Sequence, residues 1–448
     1  MNEIPFDPAS PQATLAALPQ RPAVFALYGA EAHSEPYIGR TPNLRARLAR
    51  LLQPSQKHPR RLQLAGRVRR IVWHLTGSEF ESLLVQFHLL QSQYGPKALE
   101  RMHLRAPAFV RFLGGNPYPR ITVTNRPSQR EADWAYGPFP SRAAAERYAE
   151  EALKLFLLRR CTDDLDPNPS HPGCVYSEMK MCLAPCYKGC TDERYAQEAT
   201  AVESFLASRG EARLVTLRTQ RDQASADLEF ESAAALHAQV QKVEAVHALA
   251  AELVRPMSQL RAVILQPAAN SDEVAVFLFE NAQLRGPAMF STIGMRIQNE
   301  QSGSTSLFAQ PLVIEPVLEK AEIMPPEPEA AEIPTPPPAS ATNSPGEPSS
   351  EPAASAKLPR GALEARLESL LTGLTASSSP SATVRQAHLA LLKRWYYRPE
   401  ARRTGEIFFP GADGRWPAKA ILRGVGRIAA KMLIPAALST APTSSPDA

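Results

Sequence analysis

Apolar and polar positions first fall into register at residues 22–39. There 24–28 reads as an apolar, aromatic strand, 29–35 as a loop and 36–39 as the second short strand of a hairpin. Leu44, Leu48 and Leu51 then share one face of a helix, with Thr41 placed to cap it and Pro42 at its first position. A strand over 70–75 and a helix over 79–94 follow. Ser78 and Glu81 have the spacing of a capping box, and Gly95 with Pro96 closes the helix. Leu83, Leu84, Phe87 and Leu90 mark its apolar face, and the polar Gln86 among them needs a hydrogen-bond partner or a site to serve.

Further along, Leu214, Leu217, Arg221 and Ala224 lead into a turn near residues 227–229. Phe230, Ala233, Ala234, Leu236 and Val240 then predict the buried stripe of a second helix. So small a helical hairpin buries little by itself and wants a partner over its apolar stripe. Residues 262–292 alternate as a three-strand meander. From 321 to 356 the chain turns to Pro, Ala, Ser and Glu with no Lys or Arg, a composition that cannot offset its ordering entropy and predicts a disordered linker. Helices over 361–371 and 383–396 come next, then a basic, Gly-punctuated stretch over 408–431. Lys393, Arg394, Arg398, Arg402 and Arg403 beside Trp395, Tyr396 and Tyr397 fit either stacking with phosphate contact or an interface with the rest of the chain.

The pattern predicts an α+β multidomain protein. Its units are an α/β domain (18–98), a connecting Cys-rich region (105–195), a helical hairpin (205–250), a strand-rich segment (258–315), a linker (316–360) and a small basic tail (361–435). The N-terminus has neither a basic n-region nor an apolar run, so no signal peptide is expected. No run of 18 apolar residues occurs, so no membrane span is expected, and the expected compartment is the cytoplasm.

Charge sharpens the picture. The net charge is only +5, but between Glu35 and Glu79 there is no acidic residue. The same interval holds Arg40, Arg45, Arg47, Arg50, Lys57, Arg60, Arg61, Arg67, Arg69 and Arg70. Solvated helix faces normally mix signs, so this block predicts a phosphate-binding surface.

All five cysteines lie within residues 161–190, spaced C-x12-C-x7-C-x3-C-x3-C. The odd count and the length of the chain argue against a disulfide framework. From spacing alone, structural zinc and an iron–sulfur cluster both stay open.

PAVF followed by PYIGRTPNLRARL resembles the GIY-YIG nuclease module. NPYPRITVT (116–124), GPFPS (137–141) and LRRCTD (158–163) are similar to successive landmarks of the UvrC family of excision-repair nucleases. The segment 213–246, with its A-S-x-x-L-x-F-E-x-A-A wording, is similar to that family's UVR motif, although His237-Ala238 stands where the family has Arg-Asp. The resemblance covers about residues 20 to 295. It implies a role in nucleotide excision repair and the SOS response. It also implies a [4Fe–4S] cluster on Cys161, Cys174, Cys182 and Cys186, with zinc as the alternative, and leaves Cys190 extra. DNA contact is expected through Arg45, Arg50, Lys57, Arg60 and Arg61. Docking of a UvrB-like subunit is expected on Phe230, Glu231, Ala233 and Ala234.

By the same resemblance Tyr37, Arg40 and Arg47 are the retained catalytic positions. Phe25 and Leu51 stand where the family has tyrosines, and Gln86 where it has the glutamate that binds Mg²⁺ or Mn²⁺. The family's RNase H-like and helix-hairpin-helix domains find no counterpart after the linker. Two functions follow: an endonuclease that incises damaged DNA, or a degenerate module that binds DNA and UvrB without cutting.

Overall fold

The computed structural model describes residues 1–31, 34–53, 64–162, 165–295, 359–375 and 380–433. The expected linker and three of the predicted DNA contacts, Lys57, Arg60 and Arg61, lie outside the described residues.

The N-terminal unit is a four-stranded antiparallel sheet with two short helices. Its elements run β1 (Asn2–Pro5), α1 (Pro11–Ala17), β2 (Ala23–Gly29), β3 (Tyr37–Thr41), α2 (Leu44–Leu52) and β4 (Val68–Leu75), in sheet order β1-β4-β2-β3. The predicted hairpin pairs Ala23 with Thr41 and Leu27 with Tyr37. Leu44, Leu48 and Leu51 join Phe25, Leu27 and Ile71 in its core.

The cap of α2 falls on Asn43 rather than Thr41: the Asn43 side chain accepts the Ala46 amide at 2.9 Å. Thr41 Oγ1 instead accepts the Asn43 amide at 3.2 Å, which leaves Pro42 outside the helix. Helix α3 (Glu79–Tyr94) begins on Ser78, whose hydroxyl accepts the Glu81 amide, and ends on Gly95 at a φ of 55°. The return arm of the capping box goes elsewhere, since Glu81 Oε2 accepts from the Gly77 amide at 2.8 Å.

After the single turn α4 (Ala98–Arg101) comes a second sheet. It contains β5 (Ala108–Phe112), β6 (Ile121–Thr124) and β7 (Ala135–Phe139), covered by α5 (Arg142–Leu153). The sequence predicts a helix running on to Arg160, but α5 ends at Leu153. Past it Phe156 and Leu158 are buried while Leu157 is exposed. The turn α6 (Val175–Glu178) lies in the Cys-rich loop. Helices α7 (Asp192–Ala207), α8 (Glu211–Ala226) and α9 (Phe230–His247) follow, and β8 (Arg255–Pro256) returns to pair with β7.

The third sheet joins segments that the linker separates. β9 (Ala262–Pro267), β10 (Glu273–Glu280) and β11 (Gln283–Ser291) form the predicted meander. After α10 (Arg360–Leu374) and α11 (Ala382–Tyr396), β12 (Glu406–Phe408) pairs antiparallel with β9, and α12 (Ala418–Leu433) closes the described chain. Side chains alternate across this sheet. Val263, Leu265, Val274 and Val276 face α10 and α12, whereas Ile264, Ala275, Phe277 and Phe279 face α3 and α11. The tail expected as a separate small unit therefore completes this sheet. The apolar face of α3 is spent on it: Phe80 lies edge-on to Phe277 at 5.2 Å and 5.3 Å from Trp395.

Candidate functional site

Three places carry the chemistry the sequence singles out. The first is the face built by β3, α2 and α3. Tyr37 and Arg40 stand on β3, and Arg47 on α2 donates from Nη2 to the Tyr37 hydroxyl at 3.3 Å. Tyr37 and Gln86, the latter half-buried on α3, line one open cleft of about 530 Å³ with Tyr94, Arg101 and His103. Arg47 thus contacts Tyr37, and Gln86 shares a cleft with Tyr37. Phe25 and Leu51 are not part of that cleft. Phe25 is buried with its ring 6.1 Å from that of Tyr37, and Leu51 is buried in the N-terminal core.

Arg40 points to a different partner. It donates to Glu79 at 3.2 Å, and Glu79 is also held by Arg398 of α11's C-terminal extension through two 2.8 Å bonds, with Arg394 at 3.9 Å. The Arg398 bonds, with help from Arg40 and against the cost of burial, lower the Glu79 pKa from 4.5 to about 2. Glu81 is fully buried, with one oxygen taken by the Gly77 amide and the other 3.6 Å from His74. Neither carboxylate is open to stand in for Gln86. With Gln86 neutral and the oxygens of Glu79 and Glu81 engaged, the described residues of this face offer no free carboxylate to a resident Mg²⁺ or Mn²⁺.

A carboxyl depressed in the folded state stabilises it above the unfolded pKa, near 4.5, and loses that effect as pH falls through about 2. Arg398→Ala is therefore expected to weaken the dependence of stability on pH between those two values. Parallel acid titrations of variant and parent, followed by circular dichroism, check it; identical acid limbs would contradict the assignment.

The basic surface is less free than its sequence suggests. Arg45 Nε donates to the Leu18 carbonyl at 2.7 Å, and Arg70 pairs with Glu3, an acid supplied from outside the acid-free interval. Arg70 also stacks on Tyr28, 4.4 Å from the ring centre. Arg50 is exposed, and among the described residues its Nε donates to the Ala46 carbonyl of its own helix.

The second place is the Cys-rich loop. Cys182 is half-buried, its sulfur accepts the Ala184 amide at 3.2 Å, and its pKa is raised to about 11 by burial, with smaller contributions from Cys161, Cys174 and Cys186. Burial likewise raises Cys186, and the neighbours acting on it are again Cys174 and Cys161. Cys190 feels Asp192 and Arg194 and none of the other thiols. Cys161, Cys174 and Cys186 lie near enough to Cys182 to act on its thiol, although among the described residues no three of the cysteines sit at ion-binding separation. The backbone N–H received by Cys182 is the kind of contact that supports a thiolate. The buried Arg159, which sequence reasoning passed over, donates to the Tyr118 carbonyl at 2.9 Å and reaches the Cys161 sulfur at 3.5 Å.

The third place is the α8–α9 hairpin. Its base is buried: Leu214, Leu217, Val240, Val243 and Val246 enter the core under α5 and α7. The distal half differs from the expected stripe. Phe230 is 67 % exposed, Glu231 and Ala234 are exposed, Ala233 and Leu236 are half-buried, and Leu228 at the turn is 71 % exposed. The tip projects past the core that covers its base, so its apolar side chains have no cover within the described chain.

The C-terminal aromatic cluster is not a stacking platform. Trp395 is buried and donates Nε1 to the Thr404 carbonyl at 2.8 Å, and Tyr397 OH donates to the Pro138 carbonyl at 2.9 Å. Together with the Arg398–Glu79 pair, these bonds make the segment an internal interface. Nothing in either local sequence signals a contact spanning 319 positions.

Residues 109–205 match the family model of the UvrC/Cho excinuclease middle domain. Among curated proteins the chain is similar to the UvrABC system protein C of Alcanivorax borkumensis, 31% identical over 227 residues that cover 51% of this chain and 37% of the relative. It is also similar to the proteins of that name from Pseudomonas protegens (29%; 52% and 38% covered) and Pseudomonas aeruginosa (30%; 51% and 37%). The matched part spans well under half of these relatives. No solved structure matches the chain.

Proposed function

We propose that the protein is a UvrC-like component of nucleotide excision repair that binds DNA and a UvrB-like subunit, with a GIY-YIG-type module that no longer cuts efficiently. The observation that carries the repair assignment is the match of residues 109–205 to the excinuclease middle domain. The impaired chemistry is supported by the first site, where Arg47 and Tyr37 remain but Gln86 is neutral and Glu79 is saturated by arginines. In this reading Arg47 and Arg50 hold backbone phosphates. Cys161, Cys174, Cys182 and Cys186 hold a [4Fe–4S] cluster, which cross-links the segment after α5 to the loop before α7. The hairpin tip docks the partner.

The second reading, an active structure-specific endonuclease, is favoured only by the retained Tyr37–Arg47 contact. Purified protein mixed with UvrB and a lesion-bearing duplex in Mg²⁺ tests the assignment: a ternary complex with little nicking is expected, and failure to associate with either DNA or UvrB would sink it.

For the hairpin, Phe230→Ala is expected to weaken UvrB binding by about 2 kcal/mol or more, the usual threshold for an aromatic anchor. Since Phe230 is exposed, the variant's thermal unfolding should match the parent's. Calorimetric titration decides, and equal affinity of parent and variant would remove Phe230 from the interface.

A further inference from the structure

Helix α12 presents a surface that none of these roles uses. Its apolar side, including Ile421, Leu422, Val425 and Ile428, is consumed by the third sheet, so no apolar face is left for a membrane or a second helix. On the opposite side Lys419, Arg423 and Lys431 are exposed along one i, i+4 ridge. The ridge's remaining member, Arg427, is pinned to Glu406 by bonds of 2.8 and 2.5 Å. The helix contains no Asp or Glu, whereas solvated helix faces normally mix signs. At 1.5 Å per residue the ridge runs for about 18 Å.

A second feature adjoins it. Where the ridge begins, a groove of about 470 Å³ is lined by Leu371, Thr375, Arg415 and Trp416, with Glu368 as its one acid. Trp416 is half-buried, with the Arg261 guanidinium 5.1 Å from its ring centre. Arg415 is 88% exposed and only 4.0 Å from its one carboxylate neighbour, Asp413. A regular cationic track ending at an indole is the combination that binds unpaired nucleic acid: the cations follow the backbone and the ring takes a base.

We propose that α12 and the Trp416 groove form a contact surface for an unpaired nucleic-acid strand, with phosphates on Lys419, Arg423 and Lys431 and a base on Trp416. An acidic polypeptide matches the charge but not the indole. The proposal rests on the DNA-directed reading above for placing the chain on nucleic acid, and it uses none of the N-terminal residues.

The test titrates the full chain with fluorescein-labelled oligo-dT at a series of salt concentrations. The Lys419→Ala, Arg423→Ala, Lys431→Ala triple variant should reduce the slope of log affinity against log salt by about two, at roughly 0.7 per phosphate on a single strand. Trp416→Leu should weaken binding about tenfold with the slope unchanged. Lys419→Arg with Lys431→Arg should keep the parent's slope. Should the triple variant fail to melt like the parent, Lys431→Glu takes its place. An unchanged slope overturns the proposal, as does polyglutamate competing as well as unlabelled oligo-dT at equal charge. Loss of binding confined to an Arg47→Ala, Arg50→Ala variant would end this inference and leave the repair reading standing. A parent that binds no DNA of any form would end both.

Discussion

Cys182→Ala is expected to empty the proposed cluster site and unfold the loop around it. Anaerobically purified parent protein should show broad visible absorption, iron and acid-labile sulfide, and the variant should lose all three. The choice of residue follows from its surroundings: Cys182 is the thiol on which Cys161, Cys174 and Cys186 all act, and its sulfur already accepts an amide hydrogen. The loss should exceed that of an ordinary point substitution, about 0.5–3 kcal/mol, because the binding energy of such a site is folding energy. Cys190→Ala serves as the control, since no other thiol acts on Cys190, and it should keep metal and stability. A pH dependence accompanies this. With Cys182 held at about 11, metal uptake by metal-free protein must release its proton, so affinity should rise with pH through neutrality. Stoichiometric zinc without sulfide would replace the cluster by the alternative metal. Metal lost on Cys190→Ala and kept on Cys182→Ala would discard the ligand set.

What the sequence revealed depended on whether the forces were local. The hairpin of β2 and β3, the limits of α3 and the meander of β9 to β11 follow from period, caps and turn residues a few positions apart. The gathering of all five cysteines within residues 161–190 was plain from the sequence alone. Three things were not. The end of α5 was hidden, because Phe156 and Leu158 enter a core built by helices that come later in the chain. How much of the hairpin's stripe its own protein covers was hidden, since one apolar spacing runs through both the buried Val240 and the exposed Phe230. The joining of β12 to β9 and of Arg398 to Glu79 was least visible: each crosses more than a hundred positions, and a basic segment reads the same whether its cations meet phosphate or a carboxylate.

The last of these bears on the nuclease. Metal-assisted cutting of a phosphodiester needs a group to take a proton, a cation on the phosphate and a carboxylate on the metal. The chain keeps the cation in Arg47, and Tyr37 lies against it at 3.3 Å. Gln86 has nearly the shape of the expected glutamate and lines the same cleft as Tyr37, but without its charge. Glu79 cannot compensate while Arg40 and Arg398 occupy both its oxygens, and Glu81 is sealed inside. Phe25 and Leu51 lie in the apolar N-terminal core.

The parent protein, even with UvrB and Mg²⁺ or Mn²⁺, is therefore expected to nick a lesion-bearing duplex slowly or not at all. Gln86→Glu alone should restore metal affinity, measurable by calorimetry. Adding Phe25→Tyr and Leu51→Tyr should bring cutting up to a measurable rate, since a positioned proton acceptor contributes about 10²–10⁴-fold. The two hydroxyls must enter a packed core at some cost in stability, so melting temperatures have to be read beside the rates. Robust cutting by the parent that Arg47→Ala abolishes would show that the chemistry survives without the glutamate, and would restore the endonuclease reading in place of the one proposed.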